Sequence, residues 1–217
     1  MSTKKPSDVI IIGAGGHARV LADILRAQGA LSRLRGFIDP AIPAGDTPPG
    51  WEQPVLGNDD VLADHAGCNF IVGIGTVKGG SKLRAKLFNT AVAAGLHPVT
   101  LIHPTATIAT NVGLGAGTAV MAGVIVNTDA QIGQNCILNT GCVVEHDVVL
   151  YDHVHIAPGA KISGGCQIGA HTLIGIGAIL IQMQKIGESA TVGAGSVVIS
   201  DVAPADTVVG APARSQS

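Results

Sequence analysis

The chain has 217 residues and a formal net charge of −2, so its electrostatics favour neither nucleic acid nor an anionic membrane surface as a partner. Aromatic residues make up only 2% and charged residues 13%, while Gly fills 30 positions. A core so poor in large rings must be narrow and regular, filled by Val, Ile and Leu.

No run of 18 apolar residues exists to form a transmembrane helix. The apolar run near the N-terminus is about four residues long, too short for a signal-peptide core. The four cysteines, Cys68, Cys136, Cys142 and Cys166, form no CxxC pair and read as buried thiols of a reducing, cytoplasmic protein.

Residues 1–100 have the texture of an α/β domain. "DVIIIGAGGHARVLADILRAQG" predicts a strand, a Gly-rich turn and an amphipathic helix with Val20, Leu21, Ile24 and Leu25 on one side. "LRGFIDP" predicts a second strand ending at Asp39, "NFIVGIGT" a third and "SKLRAKLFNTAVAAG" a helix. "HPVTLIHP" predicts a last strand leading into the second half. Alternating strands and helices imply a parallel sheet. Gly13, Gly15 and Ala18 fit G-x-G-x-x-A, with Asp39 at the acidic place further on. A helix N-terminus behind such a turn favours phosphate oxygens. The stretch is about one mononucleotide half of a Rossmann domain, which favours a nucleoside diphosphate over a redox dinucleotide. A purely structural turn is the remaining reading.

Residues 101–217 follow a period of six. Stepping from Ile102 to Val198 meets Ile, Leu or Val at each of seventeen places, and the residue four places later is nearly always small. This is neither a helical nor a simple strand period. It predicts a repeat architecture in which each unit buries its face only by stacking on neighbours. Three hexads close a triangular coil of about 18 residues, and coils stack at about 4.8 Å. Gly directly after the aliphatic residue, at Gly115, Gly133, Gly169, Gly175, Gly187 and Gly193, is expected to serve the tight corners. Cys136, Cys142 and Cys166 fall at the small inward place.

Within the coils, "LNTGCVVEHDVVLYDHVHIAP" gathers ionisable groups that are scarce elsewhere. His146 sits third in its hexad and is expected to point outward, beside Asp147. A carboxylate on one ring nitrogen fixes the tautomer and raises the basicity of the other. His155 lies nine residues on, half a coil away, so the two could meet around one small substrate only across a subunit boundary. A closed three-fold assembly would provide one. His153 is expected at the surface or an interface. His65, His97, His103 and His171 suggest no chemistry. An H-x-H zinc site at His153 and His155, joined by Asp147, is the weaker alternative, and no metal is expected. Gly164 falls one coil above His146, where glycine lets a ligand approach its N–H closely.

The "GAGGHA" turn ahead of hexapeptide coils, "NTGCVVEHD" within them and "VVGAPAR" near the end resemble the hexapeptide-repeat sugar acyltransferases. These include bacterial nucleotide-4-amino-sugar N-acetyltransferases and sialic acid O-acetyltransferases. The resemblance spans nearly the whole chain and implies a left-handed parallel β-helix after a half-Rossmann domain. It further implies a cytoplasmic homotrimer with acetyl-CoA as co-substrate, lying between neighbouring β-helices. On this basis residues 1–100 hold the nucleotide-sugar, through Gly13, Gly15, Gly16, His17, Asp39 and Pro40. Residues 101–217 hold acetyl-CoA, through His155, Gly164, Ile176, Gly193, Ala194 and Gly195, with "GAPAR" flanking the adenine. His146 is the general base and Asp147 its support, with direct attack and no covalent intermediate. An O-acetyltransferase using the same parts, and a non-catalytic scaffold or nucleotide sensor, are the other readings. "GIGTVKGGSKLR" departs from the family's usual "GN" or "GD" and leaves the base and sugar open.

Overall fold

The computed structural model describes residues 8–75 and 81–216. The first unit is an α/β layer of strands β1 (Val9–Ile12), β2 (Leu34–Ile38), β3 (Val55–Gly57), β4 (Asn69–Val72) and β5 (His97–Pro98). Its helices are α1 (Gly16–Ala27) and α2 (Ser81–Ala93). The sheet order is β3-β2-β1-β4-β5, with all pairs parallel. β1 is central and fully buried, which explains its uninterrupted "VIII".

Three local expectations change. Strand β3 is additional: it has three residues, too few to show a period. Val20 is 43% exposed, and α1 turns Ala18, Leu21, Ala22, Ile24 and Leu25 inward instead. The expected last strand is two: β5 ends the first sheet, and Leu101–Ile102 opens the first coil.

The second unit is a left-handed parallel β-helix of two-residue strands. Val126, Val144, Ile162, Leu180 and Val198 pair in sequence, each 18 residues from the last. Three sheets of such strands make the prism. The aliphatic places from Val120 to Val198 are buried, as are the small places from Thr118 to Ala178, including the three cysteines. A thiol there is a small apolar filler, and burial pushes the Cys136 and Cys142 thiols up to about 12.

The corners correct the glycine expectation. Left-handed backbone recurs three places after the aliphatic residue, at Asn111, Gly117, Gly123, Asp129, Asn135, Gly141, Asp147, His153 and onward. Glycines one place after the aliphatic residue serve close stacking instead. A Cβ at Gly169 would lie 2.5 Å from the Glu188 nitrogen of the next coil, and one at Gly175 2.6 Å from the Val192 oxygen.

The three outer faces differ. Outward Leu101, Ala119, Ile137 and His155 are covered by the first unit. The second face carries Gln131, Gln167 and Lys185. The third carries Ile125, Val143, Lys161, Ile179 and Val197, with Ile125 and Ile179 about two-fifths exposed. The units are fastened at Gln28, whose amide donates to the Ile102 oxygen at 2.8 Å. Arg84 of α2 is a second fastening. It is 1% exposed and donates to the Asn135 carbonyl and amide oxygens and to the His153 carbonyl.

Candidate active site

His146 stands at the corner between the apolar and the Gln-bearing face, after Val143–Val144. Asp147 takes the left-handed corner place, φ 59, a conformation that Asp tolerates better than most residues. That turn folds its carboxylate back on the ring. His146 Nδ1 donates to Asp147 Oδ2 at 2.8 Å, which leaves Nε2 as the acceptor. The bond to Asp147, with the charges of Asp147 and Glu145, raises the His146 pKa above 6.5 despite opposing desolvation. Glu145 is held from below by the Asn127 amide at 2.9 Å.

The ring reaches up to the next coil. A Cβ at Gly164 would sit 2.6 Å from both Nε2 and Cε1 of His146. Only glycine leaves the imidazole that position. His146, Asp147, Gly164, Gly165, Gln182 and Met183 line a groove of about 600 Å³ running up this corner. An imidazole so oriented can take a proton at Nε2 from a group lying in the groove.

The Gly-rich turn forms a second cluster. Gly13 has φ +105 and donates to the Ile38 oxygen at 2.7 Å. Asp39 Oδ2 accepts from the Ala14 N–H and Oδ1 from the Ala41 N–H, both at 2.8 Å. This carboxylate therefore joins the turn to the end of β2. Pro40 beside it is exposed. Gly15 and Gly16 are exposed at the start of α1, where no side chain caps the helix. A Cβ on either would meet no backbone, so packing does not require glycine there. His17 is driven down to about 3 by burial and then by the charges of Arg84 and His155. Its Nε2 is buried without a hydrogen-bond partner among the described residues.

Two histidines lie elsewhere than expected. His155 does not stand out into solvent. It is 6% exposed beneath its own first unit, close enough to His17 to act on it electrostatically, with Nε2 accepting from the Asn139 amide at 3.2 Å. The outward strand place is buried because the first unit covers that face. His153 is not a surface residue; it lies at the junction of the two units. It is 7% exposed, stacks on His171 at 4.8 Å, meets Phe88 edge-on and contacts the Asn135 amide through Nδ1. Desolvation lowers it to about 4. No cluster of three metal-ligating residues occurs among the described residues.

Ile176, 62% exposed, and the Gly193–Ala194–Gly195 turn occupy another corner column, on the opposite edge of the apolar face from His146 and Gly164. The sequence-predicted residues thus fall into three groups. Arg84, Asn135, Asn139 and Met183 were missed. For Met183 a signal existed: a long side chain at a corner place otherwise mostly held by Gly, Asn, Asp, His and Ser. The departing "GIGTVKGGSKLR" segment lies partly outside the described residues, at 76–80.

A Gly-turn α/β unit fastened to a hexapeptide β-helix with a His–Asp corner defines the hexapeptide-repeat sugar acyltransferases, and the chain belongs to that family. Residues 8–91 match the PglD N-terminal domain and residues 129–164 the bacterial transferase hexapeptide (six repeats). The chain is similar to a histidine-to-asparagine mutant of perosamine N-acetyltransferase from Caulobacter crescentus in complex with CoA and GDP-perosamine. They share 36% identity over 97% of each chain, with a TM-score of 0.89. It also resembles the acetyltransferase domain of PglB from Neisseria gonorrhoeae FA1090 in complex with acetyl coenzyme A. Identity there is 33% over 96% of this chain and 98% of that one, TM-score 0.86. WeeI from Acinetobacter baumannii AYE is 29% identical over 96% and 99%, TM-score 0.86. Comparison with curated proteins gave no match.

Proposed function

We propose that the protein moves the acetyl group of acetyl-CoA to the amine of a nucleotide-linked 4-amino sugar. The observation that carries this reading is the His146–Asp147 pair, with Nε2 free to accept under Gly164. The likeness to a perosamine N-acetyltransferase holding CoA and GDP-perosamine supports the substrate class. In the reaction the neutral amine attacks the thioester carbonyl as His146 Nε2 takes its proton. The Gly164 N–H is read as the donor to the oxyanion. The C–S bond then breaks, and the departing sulfur receives the proton from His146. Asp147 remains ionised throughout and holds the tautomer. Residues 1–100 bind the nucleotide-sugar and residues 101–217 the CoA. Diphosphate oxygens meet the uncapped start of α1 at Gly15 and Gly16, where glycine permits close approach.

A homotrimer completes the site. The exposed apolar face has the His146–Gly164 column on one edge and the Ile176–Ala194 column on the other. Head-to-tail closure brings one edge against the other edge of the next chain. One chain then supplies His146, Asp147 and Gly164, and its neighbour supplies His17, His155, Ile176 and Gly193–Gly195. Four free, buried cysteines support a cytoplasmic location.

Thiol release from acetyl-CoA with GDP-, UDP- and dTDP-4-amino sugars tests the activity, with sialic acid testing O-acetylation. His146→Ala should lower kcat by about 10²–10⁴-fold. Retention of a tenth of the activity would remove His146 as the base. His146→Ala and His17→Ala chains, each impaired alone, should recover activity when assembled together. No recovery would place the whole site within one chain.

A further inference from the structure

Met183 is at odds with its place. It has φ +64, where a long unbranched side chain is strained, and it stands 70% exposed. Of the left-handed corner residues in the coils, it is the large apolar one. Neither folding nor core packing calls for it. Its side chain is nonetheless directed: the sulfur lies against Gly165 one coil below, at the position a Cβ on that glycine would need. The His146 ring reaches one coil up to Gly164. Imidazole and thioether therefore converge on the Gly164–Gly165 dipeptide from opposite sides and share one groove.

We propose that Met183 selects the acyl group, closing the groove beyond the thioester carbonyl so that acetyl fits and longer chains collide. The proposal rests on the reading of His146 as base and Gly164 as carbonyl donor. A carbonyl at Gly164, attacked from the His146 side, directs the acyl methyl along the groove toward Gly165 and the thioether. An apolar, deformable wall suits an alkyl group and offers a polar one at most the weak acceptor of a thioether. One methylene more or less in such a pocket changes selectivity about 10–200-fold.

The test is kcat/KM with acetyl-, propionyl- and butyryl-CoA for the intact protein and for Met183→Gly, Met183→Asn and Met183→Leu. The wild type should favour acetyl over butyryl by at least about tenfold. Met183→Gly and Met183→Asn should lose most of that preference, with acetyl turnover falling and butyryl turnover rising. Met183→Leu, similar in volume, should retain it. Gly and Asn both suit left-handed backbone, so an unchanged or raised melting temperature would separate lost selectivity from misfolding. An acetyl-to-butyryl ratio that stays the same in all variants overturns the proposal. So does a change confined to the KM of the amino-sugar nucleotide. If the wild type transfers acetyl and His146→Ala does not, either result leaves the proposed function standing. If the wild type transfers no acyl group, the underlying reading fails first.

Discussion

At the scale of single residues, the proposed site depends on one atom being absent and one proton being held. Gly164 has no Cβ, and the His146 ring fills that space. In Gly164→Ala the new carbon would force the imidazole aside. A displacement of about 1 Å at a reacting group can cost about 10²-fold. The expected result is a 10–100-fold fall in kcat with a change of less than about 1 kcal/mol in unfolding free energy. The proton on Nδ1 is fixed by Asp147. As the proposed base, His146 works only when neutral, and its pKa is raised, so kcat/KM should fall as pH drops through a value above 6.5. Asp147→Asn removes the charge and leaves only a neutral amide oxygen to accept from Nδ1. The acid limb of its pH profile should move down toward 6.5, with kcat reduced. A limb that stays in place would show that another group titrates. His146 was legible in the sequence because its motif is local. The contact of Met183 with Gly165 and the burial of His155 were not, since each follows from what another coil or unit places against it.

At the scale of elements, the coils announce themselves. Each strand pairs 18 residues along, so one inward column repeats at one interval. β3 left no such trace, having three residues and no period. The fastening of α2 was equally hidden. Arg84 is a charged residue on a helix, and only the fold shows it buried against Asn135 and His153. Burial pushes its pKa down to about 10, still far above neutrality, so the guanidinium stays charged. Arg84→Ala would strip the donors from buried carbonyl oxygens, each costing about 1–3 kcal/mol. A loss of at least about 2 kcal/mol is expected in urea unfolding. The same variant should raise KM for the nucleotide-sugar more than KM for acetyl-CoA, since Arg84 ties the unit proposed to bind the nucleotide to the coils.

At the scale of the whole molecule, the three faces divide the work. One is covered by the first unit, one is polar, and one presents Ile125, Val143, Ile179 and Val197 with Lys161 among them. The proposed trimer uses the last. Ile125→Lys with Ile179→Lys would set like charges around a three-fold axis. Light scattering should then give the mass of one chain, circular dichroism should keep its strand signal, and acetyl transfer should vanish. A trimer that persists would move the interface to another face. The sequence showed this face only as period-six noise outside the inward column, because it cannot say which outward place the first unit will cover.

The uniform coil also makes the protein a gauge. From Val143 through Lys161 and Ile179 to Val197 the apolar face climbs three steps. At about 4.8 Å each, this is a rise of about 14 Å. Because strands pair only with their neighbours above and below, cutting out one 18-residue step would leave every remaining strand a partner. The ends of the groove would nonetheless be about 5 Å closer together. Chain length in this half is therefore free to change only in whole steps as far as folding is concerned. The reach of a bound donor from its reacting end to its far end fixes how many steps there must be.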